Sequence, residues 1–240
     1  MKTPALIAIL ATIFFPAAIF GQSDGPLFPN QSENQPLFSC SSCAGAIWNN
    51  TSKVSAADNV FSDASLMPNL YCFQSQCYRS RYLTCHHFGF NIPGNATITG
   101  IVLTVKGKAS LPASVLDSTV VLMKNYQPNG SNYASGGDWD TVNTLRIYGG
   151  PNDLWGTTWT PQEVNNNLFG AYVKVYNASA NSPSALVDVV AITVFYSLGT
   201  QVYSQTSTEN VFHAFYDPIG KNAGVDLFNE TGNGMAYLQC

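Results

Sequence analysis

The chain has 240 residues, and Lys, Arg, Asp and Glu make up only 10% of it, against about 25% in an average soluble domain. Charge this sparse excludes the salt-bridged helices of a coiled coil and the basic stripe of a nucleic-acid-binding protein. The hydrophobic content of 45%, with fourteen Phe and twelve Tyr, excludes a disordered chain and suits one large or two small domains.

The N-terminus is typical of a secretory signal peptide. Lys2 is followed by an uncharged apolar run from Ala5 to Phe20, and Gly21 is a small residue at a suitable cleavage point. We therefore predict a signal peptide over 1–21, with an uncleaved N-terminal anchor as the alternative. No later run is long enough to span a membrane, so we expect a secreted or extracellular protein, with attachment to the cell surface left open.

Six cysteines fit an exported protein, because an even number in an oxidising compartment favours disulfide bonds over reactive thiols. They are Cys40, Cys43, Cys72, Cys77, Cys85 and Cys240. The sequence does not fix their connectivity. The pairs closest in sequence are Cys40 with Cys43 and Cys72 with Cys77, which leaves Cys85 and Cys240 as the third pair.

A zinc site is the alternative for these cysteines, because thiolates together with His86 and His87 are suitable zinc ligands. The spacing of the second cysteine pair does not match a zinc ribbon. The two histidines are adjacent, so on a strand they would point to opposite faces and would not easily share one metal. Disulfide bonds are therefore the preferred interpretation.

Hydrophobic residues alternate with a period of two along most of the chain, which indicates strands. In the run from Ala96 to Lys108, one face would carry Ile101, Leu103 and Val105. Similar segments occupy residues 117–124, 141–148, 169–176 and 186–196. The last is almost wholly apolar, which predicts a central strand covered on both faces. Because turns rather than helices join these segments, we predict an all-β fold, an antiparallel β-sandwich of jelly-roll type.

One short helical turn is also predicted. Thr160 is a suitable N-cap, Pro161 occupies the first helical position and Glu163 lies three residues after the cap, which together form a capping box. The turn would lead the chain into the strand that begins near Phe169.

Composition divides the chain into further segments. Residues 22–39 contain several prolines and no periodicity, which predicts an extended leader. A β-sandwich domain would occupy 40–197, and the Thr-, Ser- and Gln-rich stretch 198–210 would be a linker. Short apolar runs at 211–216, 223–228 and 235–238 predict a C-terminal β segment over 211–240, with a truncated module as the alternative.

Three segments carry a family resemblance. Residues 88–105 (FGFNIPGNATITGIVLTV), 148–161 (YGGPNDLWGTTWTP) and 169–177 (FGAYVKVYN) resemble a β-sandwich domain that recurs in secreted proteins of Bacteroidota and in phage tail-associated proteins. The resemblance covers about residues 48–197 and implies an extracellular or virion-surface setting, with no established chemistry to transfer. The tail from Val211 faintly resembles the start of a C-terminal sorting β-domain of Bacteroidota.

Carboxylates and indoles cluster in the region 136–163. Trp139, Trp155 and Trp159 would stack on a sugar if exposed, with Asn152 to supply hydrogen bonds, so these four residues are the predicted ligand-binding face. A carbohydrate-active hydrolase is the alternative, with Asp138, Asp140, Asp153 or Glu163 as its carboxylates. Calcium bound by Asp138 and Asp140 is a further option, because carboxylate oxygens are its preferred ligands.

The preferred interpretation is a secreted binding or adhesion module for a glycan or a cell-surface protein, without catalysis and without a required cofactor. No Gly-x-Ser-x-Gly motif or phosphate-binding loop is present, so serine hydrolase and nucleotide chemistry lack support. A structural component of an extracellular filament or envelope is a further alternative.

Overall fold

The computed structural model describes residues 21–35, 45–68, 78–198, 211–217, 222–228 and 235–238. The chain divides into two compact units, Met1–Gly199 and Thr200–Cys240. The first unit is built from two packed antiparallel sheets, which confirms the predicted all-β sandwich. The jelly-roll order of strands stays a prediction. The predicted signal peptide, apart from Gly21, lies outside the described residues.

Each sheet of the first unit has five strands. In the first sheet, β1 (Gly21–Leu27), β10 (Ser184–Leu198), β5 (Ala96–Ala109) and β8 (Thr144–Gly150) follow in that order, and β3 (Ser62–Ser65) also pairs with β10. In the second sheet the order is β2 (Gln31–Gln35), β4 (Tyr82–His86), β9 (Gly170–Asn177), β6 (Val115–Lys124) and β7 (Gln127–Asn129). All named strand pairs are antiparallel.

The predicted alternation of strand β5 is confirmed. Ile101, Leu103 and Val105 are fully buried between the sheets, and the intervening side chains are partly exposed on the outer face. Strand β10 lies between β1 and β5, which confirms a central position for the most apolar segment. Burying such alternating side chains between two sheets supplies about 1.5–3 kcal/mol for each large aliphatic residue.

The predicted extended leader differs from the structure. Its described part supplies an outer strand to each sheet, because β1 pairs with β10 and β2 pairs with β4. These strands are polar and lie at sheet edges, where one side of the backbone needs no partner and Pro26 is tolerated. Edge strands need little hydrophobic alternation, so the periodicity could not reveal them.

The predicted helical turn is confirmed as α1 (Pro161–Val164). The Glu163 N–H donates to Thr160 Oγ1 at 3.3 Å, and the Thr160 N–H donates to a Glu163 carboxylate oxygen at 2.9 Å. The first unit also contains a 3-10 turn at Thr51–Val54. Among the described residues, no helix is long and apolar enough to cross a bilayer.

Each of two β-bulges places one buried carboxylate in the sandwich. The register of β6 against β9 shifts between Asp117 and Thr119, and that of β10 against β5 shifts between Val187 and Val189. Asp117 is 2% exposed, and Asp188, within the second bulge, is 0% exposed. A bulge re-aims a side chain out of the regular alternation, which explains how these acids enter apolar strands.

Asp188 is paired on all sides. It accepts hydrogen bonds from Lys106 Nζ at 2.9 Å, from Asn143 Nδ2 at 2.9 Å and from the Asn59 N–H at 2.7 Å. Burial alone would raise the pKa of Asp188, but these hydrogen bonds and the Lys106 charge lower it below its usual value.

This lowered pKa predicts a pH dependence of stability. The contribution of Asp188 is present above the pKa of an unfolded aspartate, about 3.9, and is lost as the pH falls through the lower folded pKa. The free energy of unfolding, measured with urea, should therefore fall less for Asp188→Asn than for the wild type as the pH is lowered from neutral to below the folded-state pKa of Asp188. Asp140→Asn, at an exposed aspartate, is the control and should follow the wild type. The same dependence of the free energy of unfolding on pH in all three proteins would contradict the expectation.

The second unit contains a three-stranded antiparallel sheet. Its strands are β11 (Val211–Asp217), β12 (Asn222–Phe228) and β13 (Met235–Leu238), in that order. They coincide with the three short apolar runs predicted from the sequence. The predicted linker 198–210 lies outside the described residues apart from Leu198, the last residue of β10, and a truncated module stays a prediction.

Candidate functional site

A cleft of about 490 Å³ lies where the edge of one sheet faces the edge of the other. One wall is β8, the last strand of the first sheet. The other wall is the segment 133–138, which runs beside β6: the Tyr133 N–H donates to the Val120 carbonyl, and the Trp139 N–H donates to the Val115 carbonyl. The lining residues are Tyr133, Ser135, Gly137, Asp138, Arg146, Ile147, Tyr148, Gly149 and Asp153.

Asp117 links the two walls of this cleft from below. One of its carboxylate oxygens accepts hydrogen bonds from the Ser135 N–H, the Ser135 hydroxyl and the Tyr148 hydroxyl, each at 3.1 Å. The other oxygen accepts from Trp139 Nε1 at 2.8 Å. A buried carboxylate with four donors satisfies its hydrogen-bonding capacity, so Asp117 fixes groups from both walls in one geometry.

Arg146 is held rigidly in the cleft. Its guanidinium lies 4.5 Å from the centre of the Trp139 ring, and Nη1 donates to the Gly107 carbonyl at 3.1 Å. Burial lowers the pKa of Arg146, but Tyr148 and the charges of Asp117 and Asp140 oppose that shift, and a guanidinium stays protonated. Among the described residues, Arg146 Nε and Nη2 have no hydrogen-bond partner, so these donors are available to a ligand.

Tyr148 and Tyr133 are held by carboxylates. Burial, and then the charge of Asp117, raise the pKa of Tyr148 above its usual value, so this hydroxyl remains a donor to Asp117. The Tyr133 hydroxyl donates to Asp153 Oδ1 at 2.9 Å, and this hydrogen bond is the main reason that the pKa of Tyr133 is raised. The Tyr133 ring lies 4.4 Å from the Trp155 ring, which anchors it at the rim.

The two carboxylates that line the cleft, Asp153 and Asp138, differ in how many of their oxygens are free to accept a hydrogen bond from a ligand. Asp153 Oδ1 accepts both from Tyr133 and from the Trp155 N–H, at 2.8 Å for the latter. Within the described part of the chain, Asp153 Oδ2 and both Asp138 carboxylate oxygens have no hydrogen-bond donor. Asp138 is exposed. The cleft therefore offers guanidinium donors and free carboxylate acceptors beside the Tyr133 ring.

The predicted ligand-binding indoles are buried. Trp139 is 1% exposed, Trp155 0% and Trp159 6%, so none presents a ring face to a ligand, and the prediction of a tryptophan contact face is wrong in this respect. Each indole N–H is satisfied internally: Trp155 Nε1 donates to the Ile101 carbonyl, and Trp159 Nε1 donates to the Leu154 carbonyl. Tryptophans with paired N–H groups are typical of a core. Asn152 is exposed, but it does not line the cleft.

The four carboxylates proposed for catalysis are only partly brought together. Asp138 and Asp153 line the same cleft, whereas Asp140 and Glu163 do not. Glu163 caps α1 and lies 3.0 Å from Lys124 Nζ. Burial alone would raise the pKa of Glu163, but hydrogen bonds from Lys124 and Thr160 lower it below its usual value, which is unsuitable for a general acid.

The calcium prediction for Asp138 and Asp140 gains no support from the geometry. The two residues flank the buried Trp139, and only Asp138 reaches the cleft. Within the described part of the chain, no group of three or more His, Cys, Asp or Glu residues is placed to hold a metal ion.

Cys85 corrects the disulfide prediction at one position. It is a free thiol, fully buried on the inner face of β4, and burial raises the pKa of this thiol. The disulfide predicted at Cys85 is therefore not present. The remaining predicted disulfide residues lie outside the described residues; they are Cys40, Cys43, Cys72, Cys77 and Cys240.

His86 and His87 contact each other. Their Nδ1 atoms lie 2.7 Å apart, because the backbone of His87 leaves the strand with a φ of 59°. His86 Nε2 lies 3.2 Å from a Glu33 carboxylate oxygen, and the Tyr126 hydroxyl donates to the same carboxylate.

Sequence reasoning did not identify Asp117, Tyr133, Arg146 and Tyr148 as site residues. Alternation in the predicted strand 141–148 would turn Leu145 and Ile147 inward and Arg146 outward, so the pattern gave no signal for Arg146 or Tyr148. Asp117 gave a weak signal as an acid at the first position of a predicted strand.

Comparison of the chain with family models, with curated proteins and with solved structures finds no match. The resemblance to a Bacteroidota and phage β-sandwich domain therefore stays a prediction.

Proposed function

We propose that this chain is a secreted surface-binding module that takes a saccharide in the cleft between β8 and the segment 133–138. The observation that carries the proposal is the pre-arranged lining: Asp117 holds groups from both walls, and free donors of Arg146 and free acceptors of Asp138 line the same cleft. Neighbouring hydroxyls of a sugar both donate and accept, so a guanidinium and a carboxylate on one surface match them. Tyr133 supplies a ring for the apolar face of the sugar.

In this proposal Tyr133 makes the aromatic contact with the ligand. The sequence had predicted that contact for Trp139, Trp155 and Trp159. The indoles of Trp139 and Trp155 lie under the lining and support Arg146 and Tyr133 instead of meeting the ligand. Rigid lining residues reduce the entropy lost on binding, which favours recognition of a ligand by a shallow cleft.

A glycan array with the purified chain tests this function. We expect selective binding that Asp138→Asn weakens about tenfold, as is usual for a lost hydrogen bond to a charged group. Asp140→Asn is the matched control, because Asp140 is an exposed aspartate two residues away that does not line the cleft. Equal binding by the wild type and Asp138→Asn, or equal losses in both variants, would reject the cleft as the contact site.

Hydrolysis is a second candidate because Asp138 and Asp153 line one cleft. A glycosidase needs two carboxylates on either side of the scissile bond, with one protonated as the acid. The test is release of reducing sugar from the glycans that the array identifies. Release that disappears in both Asp138→Asn and Asp153→Asn would favour catalysis, whereas binding without release by the wild type would favour the binding module.

A further inference from the structure

Strand β8 differs from the other edges of the two sheets. Proteins protect sheet edges with proline, charge, irregular register or short length, since an open edge can pair with another strand. Here β1 contains Pro26 and a register shift, β2 carries Glu33, and β7 has three residues including Pro128. Strand β8 runs for seven residues in unbroken register with β5, without Pro, Lys or an acidic residue, and its one charge, Arg146, lines the cleft.

The backbone of β8 has hydrogen-bonding groups on its outer side. The Ile101 N–H donates to a carbonyl in the turn after β8, so the odd-numbered residues of β5 turn their polar groups toward β8. Their partners in register include Arg146 and Tyr148. By alternation, Leu145 and Ile147 turn their N–H and C=O groups to the outer side, where no strand pairs with them among the described residues.

The side chains of the same two residues are exposed. Leu145 is 51% exposed and Ile147 63%, both on the outer face of the first sheet, and Val142 just before the strand is 71% exposed. Aliphatic side chains beside an unpaired edge favour association, because strand pairing would remove them from water.

We propose that β8 pairs with β8 of a second copy of this chain, antiparallel, with Ile147 on the two-fold axis. This register places Ile147 opposite its own copy and Arg146 opposite Tyr148, so no like charges meet. Leu145 then lies opposite Gly149, which has no Cβ and leaves room for the larger side chain. Moving the two-fold axis by one residue, to Arg146, would put two Arg146 side chains opposite each other, which is unfavourable.

The pairing would join the two sandwiches through one continuous sheet and bring the two clefts to either side of the axis. It goes beyond the proposed function, because it needs no ligand. Ile147 also lines the cleft, so the two proposals are separated at Asp138, which lies outside β8. Asp138→Asn should weaken saccharide binding and leave the dimer intact.

Sedimentation velocity of the whole chain across a concentration series, with reductant to prevent intermolecular disulfides, tests the pairing. We expect a reversible dimer with twice the monomer mass. Ile147→Lys should weaken it at least about tenfold, because the substitution places two ammonium groups on the axis. Leu168→Lys is the matched control: it changes an aliphatic residue that is 39% exposed, outside β8, and should leave the dimer intact.

Three results would overturn the proposal: a monomer at every concentration, an unchanged dimer in Ile147→Lys, or equal weakening by Leu168→Lys. Hydrogen exchange provides a second readout. The Leu145 and Ile147 amides should become protected as concentration rises in the wild type, and protection of a different edge strand would assign the dimer elsewhere.

Discussion

Asp117→Ala should lower the free energy of unfolding by about 3–5 kcal/mol, the usual cost of removing one partner from a buried charged network. The substitution removes the acceptor for Trp139 Nε1, for the Tyr148 hydroxyl and for two donors of Ser135. It also removes the carboxylate that faces the half-buried Arg146 guanidinium. Each orphaned donor loses its partner without regaining full contact with water.

Urea unfolding measures this loss, and two further variants separate its causes. Asp117→Asn keeps one acceptor but turns an amide N–H₂ toward groups that also donate, so we expect it to be less stable than the wild type. Asp140→Ala removes an exposed aspartate and should stay within about 0.5 kcal/mol of the wild type. Similar stabilities of Asp117→Ala and Asp140→Ala would show that Asp117 does not hold the cleft together.

Trp155→Ala should cost about 3–5 kcal/mol, because it empties a fully buried site and removes the partner of the Ile101 carbonyl. The indole also supports the Tyr133 ring at the rim of the cleft. We therefore expect weakened ligand binding only as a consequence of the disturbed rim.

Thermal and urea unfolding of Trp155→Ala distinguish a core residue from a contact residue. The control is Met67→Ala, at an apolar side chain that is 56% exposed, which should have little effect. A Trp155→Ala protein with wild-type stability and no ligand binding would restore the earlier prediction of an indole contact face.

Much of the sandwich could be predicted from the sequence, because its central strands bury one face and so alternate strongly. Residues such as Ile101, Leu103 and Val105 follow that rule, and the Thr160 to Glu163 capping box identifies α1 by local chemistry alone. Strands β1 and β2 were missed because edge strands are polar and have one unpaired side.

The candidate site was harder to predict because it depends on burial and on the meeting of two sheet edges. Trp139, Trp155 and Trp159 follow glycine-, proline- and asparagine-rich turns, which suggests exposure, yet their rings fold back into the core. The role of Asp117 depends on the bulge in β6, which alternation does not reveal. Of the four carboxylates predicted from the sequence, Asp138 and Asp153 line the cleft.

The central claim is that ligand contacts lie in the cleft between β8 and the segment 133–138. Hydrogen exchange of the chain with and without the glycan that binds most strongly on the array tests it most directly. We expect increased protection at residues 133–138 and 146–149, with the exposed turn at Asn152 unchanged. Protection confined to other parts of the chain, with these two segments unaffected, would contradict it.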